Sequence, residues 1–136
     1  MKVKDIVTAY KALGEAKTAS LEMADILTIV KARRAMRPIV EDYEAFVKDV
    51  VEKMKPTDFD KLVEIEKRLD TATKEEKEYH LRGVVVYRAA CDEACNEEFS
   101  KEVEIELGKL SEDAQAKLLK ENEWNVAKLD ELAVIM

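Results

Sequence analysis

The sequence predicts a mostly α-helical fold: a kinked antiparallel helical hairpin, with a short helix before it and one β-strand and two small helices after it. Charged residues make up 39% and aromatic residues 6% of the 136 residues, with only 3 Gly and 2 Pro, which is typical of helices joined by few turns. Apolar residues recur at heptad spacing from residue 36 to 54. A strict apolar–acidic alternation covers residues 102–107. We expect one domain, 1–136, with the hairpin at about 20–100 and the smaller part at about 101–136.

The first element is a short helix with one buried face. Its apolar residues are three or four positions apart, as on one side of a helix. They are Val3, Ile6, Val7, Tyr10 and Leu13. Gly14 is expected to serve as the C-cap of this helix, because glycine adopts the left-handed conformation that ends many helices.

A long amphipathic helix from about residue 20 to residue 55 is the principal element. Ser20 or Thr18 is a suitable N-cap, and Pro56 ends the helix at the preceding residue. Met23, Leu27 and Val30 continue the apolar stripe upstream with a small phase shift. The seam follows the four–three spacing of a/d positions, which predicts packing against partner helices. The seam residues are Met36, Val40, Tyr43, Val47, Val50 and Met54.

Pro38 falls inside this helix. It removes one backbone donor and crowds the preceding turn, at a cost of roughly 3 kcal/mol. The helix must therefore kink or break. The apolar stripe persists across the proline, which favours a kink.

The return arm of the hairpin starts with Thr57 or Asp58 as its cap, after a short connection that favours antiparallel neighbours. Thr73 and Glu76 have the spacing of a capping box, which starts a new helix. Folding about Pro56 places residue 34 opposite residue 78. The basic cluster Lys31, Arg33, Arg34 and Arg37 would then face Glu75, Glu76 and Glu78. The cluster is either neutralised by these glutamates or forms a patch for an anion or an acidic partner.

Residues 81–99 are compatible with two structures. Leu81, Val84, Arg88, Cys91 and Cys95 fit heptad spacing, which favours a helix. Residues 84–87 are β-branched or aromatic and follow a glycine, which is how a short strand begins. We favour the helix.

Residues 102–107 read E-V-E-I-E-L and predict a half-buried strand. Val103, Ile105 and Leu107 share its apolar face. A lone strand leaves backbone groups unpaired, so we expect pairing with residues 84–87 or with the same strand of another subunit. Ser111 and Asn125 are expected to cap the two small helices.

The residue types in the sequence predict no catalytic site and no cofactor. The net charge of -7 offers no general attraction to nucleic acid or to anionic membranes, and no apolar run is long enough to span a bilayer. His80 is the only histidine, and Cys91 with Cys95 lacks two further zinc ligands. We therefore expect a surface or rim histidine, two small buried cysteines and no metal site.

The C-terminal third carries a family resemblance. The segments EVEIELGKLSEDAQ and VAKLDELAVIM are similar to the ends of small proteins encoded by tailed phages and prophages, sometimes described as tail-related. In that family a charged helical region precedes an EVEL-type strand and short terminal helices. The front part is similar too, with Ala24, Ile29, Pro38 and Tyr43 in a charged helix. The segment RGVVVYRAACDEAC departs from the pattern. The resemblance implies a phage context and no catalytic residues.

Together these observations predict a non-enzymatic phage structural or assembly protein. It would associate with itself, as a homo-oligomer, and with other phage proteins, in the cytoplasm of the producing cell or in a virion. The alternative is a monomeric adaptor or assembly chaperone that is absent from the finished particle. A third hypothesis is a helical Mg²⁺-dependent nucleotide pyrophosphohydrolase, which has E-x-x-E and a later E-x-x-D. Glu41–Glu44 and Glu75–Glu78 supply the first motif, but the second is missing.

Overall fold

Six α-helices make up most of the chain, and the computed structural model describes all 136 residues. Short 3-10 turns at Leu69–Thr71 and Ala133–Ile135 follow the third and sixth helices. The predicted helical class is confirmed. The helices are α1 (Val3–Glu15), α2 (Met23–Lys53), α3 (Phe59–Lys67), α4 (Lys74–Phe99), α5 (Glu112–Glu121) and α6 (Val126–Asp130).

The chain divides into two compact units. The terminal unit comprises Met1–Glu44 and Phe99–Met136, and the middle unit comprises Ala45–Glu98. The terminal unit thus contains α1, the first part of α2, α5 and α6. The middle unit contains the last part of α2, all of α3 and nearly all of α4.

The terminal unit is built around the apolar face of α1. The predicted face is buried, except that Tyr10 is only half-buried. The last 3-10 turn of the chain contacts α1, and the Leu110 N–H donates to the Ile135 carbonyl at 2.6 Å. The fully buried large side chains of this unit are Ile6, Met36, Leu118, Leu132 and Ile135.

Gly14 does not cap α1. The helix continues to Glu15, Ala16 is the C-cap, and no glycine has a positive φ. Gly14 instead leaves room for a side chain of α2: a Cβ at this position would lie 3.2 Å from an Arg33 guanidinium nitrogen. The prediction was wrong because the helix ends at Ala16 in an extended conformation, which does not require a glycine.

α2 runs unbroken through Pro38, so the alternative of two separate helices is wrong. Pro38 and Arg34, whose carbonyl loses its helical donor, are both exposed, and water can reach that carbonyl. The helix begins at Met23, so neither Ser20 nor Thr18 is the N-cap. The Ser20 hydroxyl instead donates to Glu121 at 2.6 Å.

The upstream apolar residues of α2 do not continue its buried stripe. Met23, Leu27 and Val30 are exposed, whereas Ile29 and Ala32 are buried. The phase shift in the sequence therefore moves the first three residues out of the core.

In the middle unit, α4 runs antiparallel to the end of α2, but not in the predicted register. The Tyr87 hydroxyl donates to the Val51 carbonyl, and the Tyr79 hydroxyl donates to the Asp58 carboxylate. A fold about Pro56 would have placed Val51 opposite residue 61. The register differs because α3 and the following 3-10 turn occupy the segment after the connection, and the long return helix starts only at Lys74.

The start of α4 agrees with the predicted capping box. The Glu76 N–H donates to the Thr73 hydroxyl at 3.1 Å, and the Thr73 N–H donates to the Glu76 carboxylate at 3.2 Å. Residues 84–87 lie within α4, so the favoured helical interpretation is confirmed and these residues pair with no strand.

The predicted strand at residues 102–107 is not present. Its side chains do alternate, with the apolar ones half-buried against the core of the terminal unit and the glutamates exposed. The backbone, however, forms only one antiparallel bridge, between Lys2 and Glu102. The Val103 N–H donates to the Met1 carbonyl at 2.8 Å, and the Val3 N–H donates to the Lys101 carbonyl at 3.0 Å. The backbone pairing beside this segment thus ends where α1 starts, at Val3.

The two small C-terminal helices form as predicted. The Ser111 hydroxyl accepts from the Ala114 N–H at 3.1 Å, and the Asn125 side chain accepts from the Lys128 N–H at 2.9 Å. Trp124 lies at the joint between α5 and α6, half-buried against the core.

Candidate interaction surfaces

A basic groove lies between α1 and α2 in the terminal unit. The Arg33 guanidinium carbon lies 4.5 Å from the Tyr10 ring centroid, a distance at which a cation is attracted by the aromatic face. The neighbouring Tyr10 hydroxyl raises the pKa of the Arg37 guanidinium. Arg34 completes the basic lining of a groove of about 400 Å³, whose apolar wall includes Ile26. Arg33 Nε is buried and has no acceptor.

The glutamates predicted to neutralise this basic cluster have other surroundings. Glu76 pairs with Arg68, close to it in the chain. Together with the Thr73 N–H, that guanidinium lowers the pKa of Glu76 to about 2. No ion pair forms between Glu75 or Glu78 and an arginine. The predicted pairing across the hairpin assumed a register that the contacts within the middle unit do not show. The role of Lys31, Arg33, Arg34 and Arg37 toward an anion or an acidic partner stays a prediction.

The predicted seam of α2 is divided between the two units. Met36 and Val40 are buried in the core of the terminal unit, and Tyr43 stacks on Phe99 with ring centroids 4.7 Å apart. In the middle unit, Val50 is buried, Val47 is half-buried and Met54 is exposed. Most of the seam thus packs within its own chain. Val103, Ile105 and Leu107 also pack within the chain, and their part in contacts between subunits stays a prediction.

α4 exposes several large apolar side chains. Leu81, Val85 and Val86 are 62%, 56% and 70% exposed, and Cys91 is the only buried residue of α4. The exposed stripe at heptad spacing along this helix is called here the outer face of α4. Its members are Lys74, Glu78, Leu81, Val85, Arg88 and Asp92.

An apolar groove of about 500 Å³ runs along another side of α4. Tyr79, Gly83 and Val86 line it from the helix, and Met54 and Pro56 line it from the end of α2 and the following connection. The Tyr87 ring packs on Phe59 of α3 with centroids 5.8 Å apart. The middle unit therefore exposes apolar side chains both on the outer face and in this groove.

Sequence reasoning missed the outer face because it assigned α4 a single seam. The predicted seam combined Leu81 and Arg88, which are exposed, with Cys91, which is buried. The sequence pattern that could have predicted the outer face is a second heptad stripe. It shares Leu81 and Arg88 with the predicted seam but continues through Glu78 and Val85. This stripe has the four–three spacing of a helix-packing seam, with apolar residues at its centre and charges at its ends.

His80, Cys91 and Cys95 do not form a chemical site. His80 is half-buried, and its Nε2 has no hydrogen-bond partner. Its partial burial agrees with the expected position at the surface or its rim. Both cysteines are free, Cys91 buried and Cys95 half-buried. Burial raises the pKa of the Cys95 thiol, which disfavours the reactive thiolate.

No group of three or more His, Cys, Asp or Glu side chains converges in a way that could hold a metal ion. None of the helices combines the length and the apolar character that crossing a bilayer requires.

Comparisons with family models, with curated proteins and with solved structures gave no match to this chain.

Proposed function

We propose that the protein is a non-enzymatic structural or assembly protein that acts by associating with itself and with other proteins. The observation that carries this proposal is the exposed apolar surface of α4, where Leu81, Val85 and Val86 are each more than half exposed. Contiguous apolar surface of this kind is unfavourable in water and is typical of interaction sites. The groove beside Met54 and Tyr79 extends this surface.

The distribution of buried residues supports the same proposal. The terminal unit has a continuous core formed by α1, α2 and the C-terminal segment. The middle unit buries only Val50, Leu62, Ile65 and Cys91. A unit of this size with so small a core gains stability when further apolar surface is covered by a partner.

The phage or prophage setting of the proposal depends on the resemblance of the C-terminal third, with its EVEIEL segment and short terminal helices, to small tail-related phage proteins. The extended segment and both capped helices of that pattern have counterparts here, at residues 102–107, α5 and α6. The partners would then be other proteins of the particle or of its assembly.

The test is the absolute mass in solution, measured by light scattering after size exclusion over a wide range of protein concentrations. We expect the mass to exceed that of the 15.5 kDa monomer and to rise with concentration toward a fixed multiple. A monomer at every concentration would contradict self-association.

The second candidate function is a monomeric adaptor or assembly chaperone. It is favoured by the packing of Val103, Ile105 and Leu107 within their own chain, because the segment offers no free strand to another copy. Quantifying the protein in purified particles distinguishes the two candidates. A structural component is present in fixed copy number, whereas a chaperone is absent from the finished particle.

A further inference from the structure

The outer face of α4 has the spacing of a coiled-coil seam. Its six residues are separated by four, three, four, three and four positions, so they lie on one stripe that follows a partner helix. All six are exposed. Gly83 lies on the opposite side of the helix, where its Cα approaches Leu62 of α3. The stripe is therefore directed away from the rest of the middle unit.

When two copies of this stripe are placed antiparallel, each charged residue lies opposite a residue of the other sign. In two antiparallel copies that cross level with Gly83, a residue before Gly83 meets the residue equally far after it. Leu81 and Val85 are each two positions away, Glu78 and Arg88 are each five away, and Lys74 and Asp92 are each nine away. Two-fold symmetry makes every such contact twice. The layers are Lys74 with Asp92, Glu78 with Arg88, and Leu81 with Val85.

The four charged residues of the stripe form no ion pair within the chain that would compete with pairing between copies. Lys74, Glu78, Arg88 and Asp92 form none, whereas other exposed charges do, such as Lys53 with Asp49 and Lys117 with Asp113. The charged residues of the seam are therefore available to a partner without breaking a bond in the monomer. The opposite charges also fix the register and the antiparallel direction, because a parallel pair would place like charges together.

We propose that the outer face of α4 binds the same face of a second copy of this chain, as an antiparallel two-helix seam centred level with Gly83. This inference rests on the self-association in the proposed function and adds the surface, the direction and the register. Its apolar centre consists of Leu81 and Val85, and its ends are closed by the two kinds of ion pair. The six layers span about 27 Å of helix. The buried area is therefore small among protein–protein interfaces, and we expect a dimer dissociation constant in the micromolar range.

Charge reversal tests this register in the full-length chain. Glu78→Arg places an arginine against Arg88 of the other copy, and Arg88→Glu places a glutamate against Glu78. We expect either single variant to raise the dimer dissociation constant by about tenfold or more, because like charges at an interface are strongly unfavourable. The double variant Glu78→Arg/Arg88→Glu restores opposite charges and should return the constant to within about threefold of the original. Sedimentation equilibrium measures the dimer dissociation constant of the original chain, the two single variants and the double variant.

Two further variants make the result specific. Glu97→Arg has the same change in charge, on an exposed residue of α4 away from the seam, and should leave the dissociation constant unchanged. Val85→Asp should abolish the dimer without unfolding the monomer, because Val85 is 56% exposed in the single chain. Circular dichroism checks that each variant keeps its helix content.

The outcomes separate this inference from the proposed function. If the chain self-associates but both single reversals leave the dissociation constant unchanged, this seam is wrong and self-association stands. The seam is also overturned if the double variant is as weak as the single ones. A chain that is monomeric at all concentrations overturns both.

Discussion

Glu76 is the residue on which the turn between α3 and α4 depends. Its carboxylate accepts from the Arg68 guanidinium and from the Thr73 N–H, while its own N–H donates to the Thr73 hydroxyl. One side chain thus caps α4 and ties its first turn to the end of α3. The hydrogen bond from Arg68 is the largest cause of the lowered pKa of Glu76, followed by the hydrogen bond from the Thr73 backbone.

The pKa of Glu76 predicts how its contribution to stability depends on pH. The carboxylate titrates near 4.5 when unperturbed and near 2 in the folded chain, so the unfolded state binds more protons between these values. Its contribution is complete above pH 4.5 and is lost as the pH falls toward 2. We expect Glu76→Gln to lower the free energy of unfolding at pH 7, and this difference to shrink across that window. Urea unfolding at a series of pH values measures it.

Glu75→Gln is the matched control for that experiment. Glu75 is exposed in the same turn of α4 and forms no hydrogen bond or ion pair. Its substitution should change the free energy of unfolding little at any pH. Equal effects of the two substitutions would mean that the lost charge, and not the contacts with Arg68 and Thr73, determines the stability.

The sequence correctly predicted the roles of residues that contact near neighbours in the chain. The caps at Thr73, Ser111 and Asn125 are correct because a capping side chain bonds to the backbone three positions away. Ser20 failed as a cap because its hydroxyl bonds to Glu121, a residue 101 positions away. No local pattern reports such a contact.

At the scale of elements, the alternation at residues 102–107 predicted the buried side chains but not the hydrogen bonding. Val103, Ile105 and Leu107 face the core as an alternating strand would require. Alternation depends only on an extended backbone, whereas a strand also needs a partner of comparable length. The sequence contains the first condition, but the second is not met, because the backbone pairs only at the bridge between Lys2 and Glu102.

The contact between α3 and α4 can be tested at Gly83. In an isolated helix, Gly83→Ala would stabilise by about 1 kcal/mol. Here a Cβ would lie 2.8 Å from both Cδ atoms of Leu62, which is only 4% exposed, and such overpacking costs about 1–3 kcal/mol. We expect Gly83→Ala to be neutral or to destabilise by up to about 2 kcal/mol, as measured by urea unfolding.

The same substitution in a Leu62→Ala background separates these two effects. Without the Leu62 side chain the overpacking disappears, and Gly83→Ala should stabilise by about 1 kcal/mol. The difference between the two backgrounds is the coupling energy of the contact. A stabilisation of about 1 kcal/mol in both backgrounds would show that α3 does not pack on Gly83 in solution.

At the scale of the whole molecule, the helix register could not be predicted from local patterns. Pro56 correctly ended α2, but α3 and its 3-10 turn then displaced the start of the return helix to Lys74. That insertion moved the partner of Val51 from residue 61 to Tyr87. The predicted opposition of the basic cluster and the glutamates depended on the earlier register. An error in one connection therefore spread to the predicted surroundings of the basic cluster.

The unequal cores of the two units predict unequal protection of their backbone amides from hydrogen exchange. Sixteen buried residues form one cluster in the terminal unit, whereas the middle unit buries only Val50, Leu62, Ile65 and Cys91. Local opening is easiest where few apolar contacts hold an element. We expect amides in α3 and α4 to exchange faster than amides in α1 and α5, in dilute protein followed by mass spectrometry.

Raising the protein concentration should change this pattern in one place. If copies associate through the outer face of α4, amides in α4 should exchange more slowly as the fraction of dimer rises. Local opening of α4 then also requires dissociation of the dimer. Amides in α1 are the internal control and should keep the same rates. Protection that rises equally in α1 and α4 would place the contact elsewhere. Unchanged rates in α4, at concentrations where the measured mass has doubled, would exclude this helix as the interface.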